Sequence, residues 1–254
     1  MKVLALSGKG GTGKTTLTVL LMRWLHDNRS GAILAVDADP ACNLGDMLGL
    51  AQGETVGAIR EEMRSQAGGL PGGMTKQQFL EYKIQTGLVE SPDFDLIAMG
   101  RPEGPGCYCY ANNLLRDIID TLGRNYTYVV IDNEAGMEHI SRRTTRDVAH
   151  LFMVSNATVT SVRTAAKISR LADELAVGIG AKHLILNRVC GTLPEEVEAA
   201  VADEHLAGFC SIPEDDMLLS LDRTGEPIWP VAVRSQAYKA LAVALDRLMA
   251  GKTG

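Results

Sequence analysis

An α/β fold built on a doubly wound, mostly parallel sheet is predicted by two patterns in this sequence. Six short apolar runs recur at wide spacing, over residues 3–6, 33–36, 96–99, 128–131, 151–154 and 184–186. They are nearly continuous rather than alternating, which suits strands buried on both faces. The stretches between them carry helical periodicity, so the chain reads as a series of βαβ units. No Ser/Pro-rich linker or internal repeat divides the 254 residues, and one domain over 1–254 is expected. Hydrophobic residues make up 46% of the chain, enough for a sizeable core.

The first run leads into Gly8-Lys9-Gly10-Gly11-Thr12-Gly13-Lys14-Thr15-Thr16, followed by Leu17, Leu20, Leu21 and Leu25 at helical spacing. Strand, glycine-rich loop and helix in that order form the context in which G-x-x-x-x-G-K-[ST] binds phosphate. The bland alternative is a chance glycine turn. Backbone N–H groups and the positive end of the helix point at the anion. Lys14 belongs on the β/γ-phosphates, and the Thr15 hydroxyl on Mg²⁺.

The second run ends in Asp37-Ala38-Asp39-Pro40. If the strand continues, the two carboxylates alternate in direction at the strand's C-terminal edge, where α/β sheets bind ligands. The plain alternative makes Asp39-Pro40 a turn opener. Residues 50–91, with the glycine-rich Gly68-Gly69-Leu70-Pro71-Gly72-Gly73, read as an irregular insertion carrying one or two helices. The fourth run ends in Asp132, the form of a carboxylate that holds Mg²⁺ through water, and Gly136 follows four residues later. A glycine there lets the backbone approach a γ-phosphate. Glu138 and His139 are either relays or surface contacts. The sixth run ends in Asn187, whose amide can donate to and accept from a base edge at once. Ala237, Leu241, Leu245 and Leu248 mark an amphipathic C-terminal helix, best read as packed on the sheet.

Cys107 and Cys109 stand in Gly104-Pro105-Gly106-Cys107-Tyr108-Cys109-Tyr110, just before the helical pattern Leu114, Leu115, Ile118, Ile119 and Leu122. A helix N-terminus favours the thiolate, which binds metal. Cys-x-Cys gives two soft ligands where a closed tetrahedral site needs four, and a two-fold dimer supplies the other pair. Three readings stay open: a metal site between subunits, redox thiols, and inert cysteines.

The net charge of −6 argues against sequence-independent nucleic-acid binding, although Arg142, Arg143 and Arg146 cluster. Met1-Lys2 leads directly into the first run, and no apolar run reaches membrane-spanning length. With an odd count of five cysteines, these features lead to the expectation of a reducing cytoplasm and of no membrane or nucleic-acid partner.

The loop with its early lysine, Lys9, resembles the deviant Walker A loop of the MinD/ParA/nitrogenase iron protein family of dimeric ATPases. The resemblance implies that Lys9 acts in trans on the partner's nucleotide. It also implies Asp39 on the attacking water, Asp37 near Mg²⁺, Asn187 on the adenine, and Pro213 in a base-flanking loop, Ile212-Pro213-Glu214-Asp215. That family usually writes Asp-Thr-Pro-Ala-Gly where this chain has Asp132-Asn133-Glu134-Ala135-Gly136. The Gly-Cys-Tyr-Cys and Asp-Asn-Glu-Ala-Gly-Met-Glu-His segments together are similar to the CooC-type accessory ATPases of carbon monoxide dehydrogenase and acetyl-CoA synthase. That narrower resemblance implies Ni²⁺ or Zn²⁺ on Cys107 and Cys109 of two protomers, and ATP hydrolysis coupled to metal delivery. Two rivals predict different features. An iron–sulfur carrier uses well-separated cysteines or a C-x-x-C pair, neither of which is found. A positioning switch uses a basic C-terminal helix, whereas here the charges of 246–252 are mixed.

Overall fold

The computed structural model describes residues 1–65, 73–101, 115, 117–134, 147–174 and 178–250. Its eight strands are β1 (Lys2–Gly8), β2 (Ile33–Ala38), β3 (Val89–Glu90), β4 (Asp95–Ala98), β5 (Tyr128–Asn133), β6 (Asp147–Asn156), β7 (Gly178–Val189) and β8 (Gly208–Pro213). They form one sheet in the order β3-β4-β2-β5-β1-β6-β7-β8. Every pairing is parallel except the two-residue β3 against β4. Strand β1 is central, and the chain first builds the sheet on its β5 side and then on its β6 side. The ligand crevice of such a sheet opens at the C-terminal ends of these strands.

Side-chain alternation along each buried strand feeds two cores, one on each face. Leu4 and Leu6 of β1 enter a core with Phe152, Ile185 and Trp24, whereas Val3 and Ala5 enter a second with Ile131, Met153 and Leu184. The first face is covered by α1 (Lys14–Asn28), α2 (Asn43–Leu48) and the C-terminal helix. The second is covered by α3 (Val56–Ser65), α4 (Lys76–Gly87), helical residues 117–122, α5 (Val159–Glu174) and α6 (Glu195–Asp203). Helices α7 (Asp216–Thr224) and α8 (Gln236–Met249) close the β8 end. As expected, α8 buries Ala237, Leu241 and Leu245. The expected insertion contains α3 and α4. Their junction is held where Lys83 meets Glu54 at 3.0 Å and also pairs with Glu62.

The sheet has two strands beyond the six read from the sequence. The last, β8, contains Ile212-Pro213, which resemblance had placed in a loop. Gly208, Cys210 and Ser211 give it no continuous apolar run. Strands β6 and β7 also extend well before their apolar centres, through His150 and His183. Those rings supply the packing themselves: they stack with Phe152 and lie 3.0 Å apart at Nδ1 and Nε2.

Trp24 anchors α1. It is fully buried, its Nε1 donates to Asp246 of α8 at 3.1 Å, and Arg29 covers its ring at 4.8 Å. Trp24→Ala is expected to cost about 3–5 kcal/mol through the cavity it leaves. Chemical denaturation checks this, and a cost below about 1 kcal/mol would mean that α1 is not anchored there.

Candidate functional site

The glycine-rich loop leaves β1 at the centre of the sheet and enters α1 at Lys14. Packing fixes two of its glycines. A Cβ on Gly8 would stand 2.3 Å from the Val154 carbonyl, against which β1 pairs. Gly13 has φ 88°, a conformation glycine adopts without penalty, and a Cβ there would meet the Asn187 amide at 2.4 Å. Gly13 is also the N-cap of α1. No side chain caps this helix and no acidic residue lies in its first turn, so its positive end is open to an anion.

The loop is folded on the Lys9 carbonyl. That oxygen accepts from Thr12 Oγ1 at 2.8 Å and from Lys14 Nζ at 3.4 Å. Lys14 is buried, which lowers its pKa, while the nearby carboxylates of Asp132, Asp39 and Glu134 oppose the shift. Its ammonium is therefore held beside the phosphate seat by carboxylates and a carbonyl. The Lys9 side chain is exposed, as is Gly10; Thr15 and Thr16 are half-buried.

Asp37 and Asp132 are register partners on β2 and β5 and share one face. Both are about 1% exposed. Burial and the Asp132 charge push the Asp37 carboxyl up to about 7, although the Leu44 and Asp39 N–H groups donate to it. Burial likewise raises Asp132 to about 6, against hydrogen bonds from Thr15 and Thr18, the latter at 3.3 Å. Two buried carboxylates with raised pKa values and a threonine hydroxyl are hard oxygen donors, and the nearby Lys14 charge offsets the burial of Asp132 in part. That set fits Mg²⁺, which needs few protein ligands when phosphates supply the others.

Strand β2 ends at Ala38, one residue before Asp39, so strand alternation does not reach the second aspartate. Asp39 lies in a turn, where its Oδ1 accepts from the Ala41 N–H at 2.9 Å. The turn reading therefore holds, and the same carboxylate still acts on Lys14. The sequence named Glu134 only as a departure from the usual motif. Its influence on Lys14 gives that acidic middle a place at the site.

Asn187 reaches the loop from β7: its Nδ2 donates to the Thr12 carbonyl at 2.8 Å. That bond uses one amide hydrogen of the buried side chain. A cavity beside it is lined by Thr16, Leu17, Asn187, Arg188 and Pro213 and walled by α7. Asp215 builds that wall by capping α7 and accepting from Ser235 at 2.7 Å. The phosphate seat and this cavity are contiguous along α1, which supplies Thr16 and Leu17 to the cavity wall.

Residues 3–228 match the CobQ/CobB/MinD/ParA nucleotide binding domain. The chain belongs to that nucleotide-binding family. Among its relatives, an uncharacterized ATP-binding protein of Methanocaldococcus jannaschii is 39% identical, covering 97% of this chain and 98% of the relative. The carbon monoxide dehydrogenase accessory protein CooC of Rhodospirillum rubrum is 29% identical, covering 96% and 97%. The fold is that of a ParA family ATPase from Chlorobium tepidum, with a TM-score of 0.70 at 22% identity over 96% of this chain and 97% of the other.

Cys107, Cys109, Gly136, Glu138, His139 and the Arg142–Arg143–Arg146 cluster lie outside the described residues. Among the described residues, no group of three or more His, Cys, Asp or Glu could hold a metal. No helix of these residues is long and apolar enough to cross a membrane. Cys42 is buried and its backbone N–H donates to the Asp39 carbonyl at 3.0 Å, and Cys190 is exposed with its thiol donating to Glu214 at 3.0 Å.

Proposed function

We propose that this chain is an ATP-hydrolysing metallochaperone that works as a nucleotide-dependent homodimer and delivers nickel to carbon monoxide dehydrogenase/acetyl-CoA synthase. The observation that carries this is the Cys107-Tyr108-Cys109 pair on a chain whose similarity to the CooC accessory protein runs over nearly its whole length. The ATP-binding relative at 39% identity and the phosphate seat at α1 support ATP as the nucleotide.

ATP lies with its phosphates at the N-terminus of α1 and its base between Asn187 and Pro213. Lys14 moves from the Lys9 carbonyl to the β/γ-phosphates. Asp37, Asp132 and Thr15 hold Mg²⁺, which neutralises phosphate charge when bound. A water oriented by the Asp39 carboxylate attacks the γ-phosphorus, its proton passes to the phosphate, and the bond to the β–γ bridging oxygen breaks, leaving ADP and phosphate. Lys9 from the partner stabilises the charge that develops. Gly136 reports loss of the γ-phosphate. Cys107 and Cys109 join their two-fold mates as four thiolates around Ni²⁺ or Zn²⁺, carried as cargo. Thiolates alone do not select nickel over zinc.

The test is titration of Ni²⁺ and Zn²⁺ into reduced, metal-free protein, with and without ATP, while light scattering follows mass. One metal per dimer with thiolate-to-metal absorption is expected, and the Cys107→Ala/Cys109→Ala variant loses both. A double variant that still binds one metal per dimer sinks the site. ATP-dependent dimers that bind no metal but sediment with liposomes or DNA make the chain a positioning switch instead.

A further inference from the structure

The end of β7 departs from regular strand geometry beside the glycine-rich loop. Its pairing with β8 is irregular between Leu186 and Val189. Within that irregularity Arg188 takes φ 56°, a left-handed conformation that costs energy for a residue with a Cβ. In a regular strand, Asn187 and Arg188 would point to opposite faces. Irregularities of this kind re-aim side chains and occur beside active sites.

Here both side chains reach consecutive carbonyls of one loop. Asn187 Nδ2 donates to the Thr12 carbonyl at 2.8 Å, and Arg188 Nη1 donates to the Gly11 carbonyl at 3.3 Å. Thr12 in turn closes the loop onto the Lys9 carbonyl through its Oγ1 at 2.8 Å and its N–H at 3.4 Å. The tip that carries Lys9 is therefore held by its own turn on one side and by a two-residue clasp from β7 on the other. Asn187 is already explained as a base reader. Arg188 lines the same cavity, but its left-handed backbone and its bond to the Gly11 carbonyl serve the loop rather than the base.

We propose that Arg188 is a positioning residue for hydrolysis: it fixes the loop tip from which Lys9 is offered to the partner's nucleotide. This rests on the ATP-dependent dimer proposed above. Arg188 is exposed in the single chain, so its bond competes with water there, and a partner closing over Lys9 shields it. The clasp is then firmest in the closed dimer.

Arg188→Gly accommodates the left-handed backbone without strain and removes the whole side chain, so the bond to the loop is lost while the backbone geometry is kept. In the ligand-free protein, amide hydrogen exchange across residues 9–13 is expected to quicken at least about fivefold, while the melting temperature holds or rises. In the ATP-loaded dimer, kcat is expected to fall about tenfold or more, with nucleotide affinity changed less than about threefold. Arg188→Lys, which can still donate to the carbonyl, restores part of both. Wild-type exchange in Arg188→Gly together with wild-type kcat overturns the proposal. So does a loss confined to nucleotide affinity. Should the wild-type protein neither dimerise nor hydrolyse ATP, the ATPase reading falls, and the exchange measurement still decides whether the clasp holds the loop.

Discussion

Lys9→Ala is expected to leave ATP binding by the single chain nearly intact while lowering hydrolysis about a thousandfold, the range of a charge finger supplied by a partner. The two lysines of the loop differ in the way this demands. Lys14 is buried, faces three carboxylates and donates to a loop carbonyl. Lys9 contributes that carbonyl from its backbone and leaves its side chain exposed. Alanine keeps the backbone oxygen, so the turn closed by Thr12 survives and the phosphate seat is preserved. Only the outward ammonium is lost. Lys14→Ala, by contrast, should lose nucleotide binding itself. Complementation tests the direction of action. Asp39→Ala retains Lys9 but lacks the carboxylate proposed to orient the water. Mixed with Lys9→Ala, it forms heterodimers in which one site has both groups, and about a quarter of wild-type activity should return for random two-fold pairing. No recovery, with heterodimers shown to form, would mean that Lys9 serves its own nucleotide or none.

The buried parallel strands were legible because both faces of each are apolar, so the pattern needs no partner to be recognised. The phosphate loop was legible because its chemistry depends on glycine and lysine at fixed offsets, and Gly8 and Gly13 prove to be packed against backbone and amide where no Cβ fits. Strand β8 was not legible. It lies at the sheet edge, and its pairing comes from β7 rather than from hydrophobic pattern. The role of Asp39 as a turn residue depends on where β2 stops, and strand boundaries carry little sequence signal. The Arg188 clasp was invisible because a left-handed φ at a non-glycine residue is set by the surrounding fold. Asp37 and Asp132 could each be named as strand-end carboxylates, but only the register β2–β5 makes them neighbours.

That adjacency makes Asp132→Asn the second large effect, with opposite signs for activity and stability. Hydrolysis should fall at least about a hundredfold, because a carboxylate is lost from the proposed Mg²⁺ seat. The ligand-free fold should gain on the order of 2 kcal/mol at pH 8, from the cost of keeping a buried charge. The sign follows from linkage. The carboxyl of Asp132 is raised to about 6 from 3.8, so the folded chain holds its proton more tightly than the unfolded chain does. Stability is therefore lost as pH rises between about 4 and 6, and the full cost is present above that window. Asp37, raised to about 7, adds in the same direction. Asparagine carries no charge at any of these pH values. It keeps an oxygen for Thr18, and its new N–H can be accepted by Asp37, its register partner. The gain should then shrink toward zero near pH 4, where the wild-type carboxyl is also neutral. Mg²⁺ with nucleotide should reverse the order, since the wild-type charge pair is the one that gains a counter-ion. Thermal melts at pH 4 and pH 8, without and with Mg²⁺ and ADP, measure all four corners. A variant less stable than wild type at pH 8 without Mg²⁺ would show that the carboxylate is held by hydrogen bonds that outweigh its burial, and that the site does not wait for a cation.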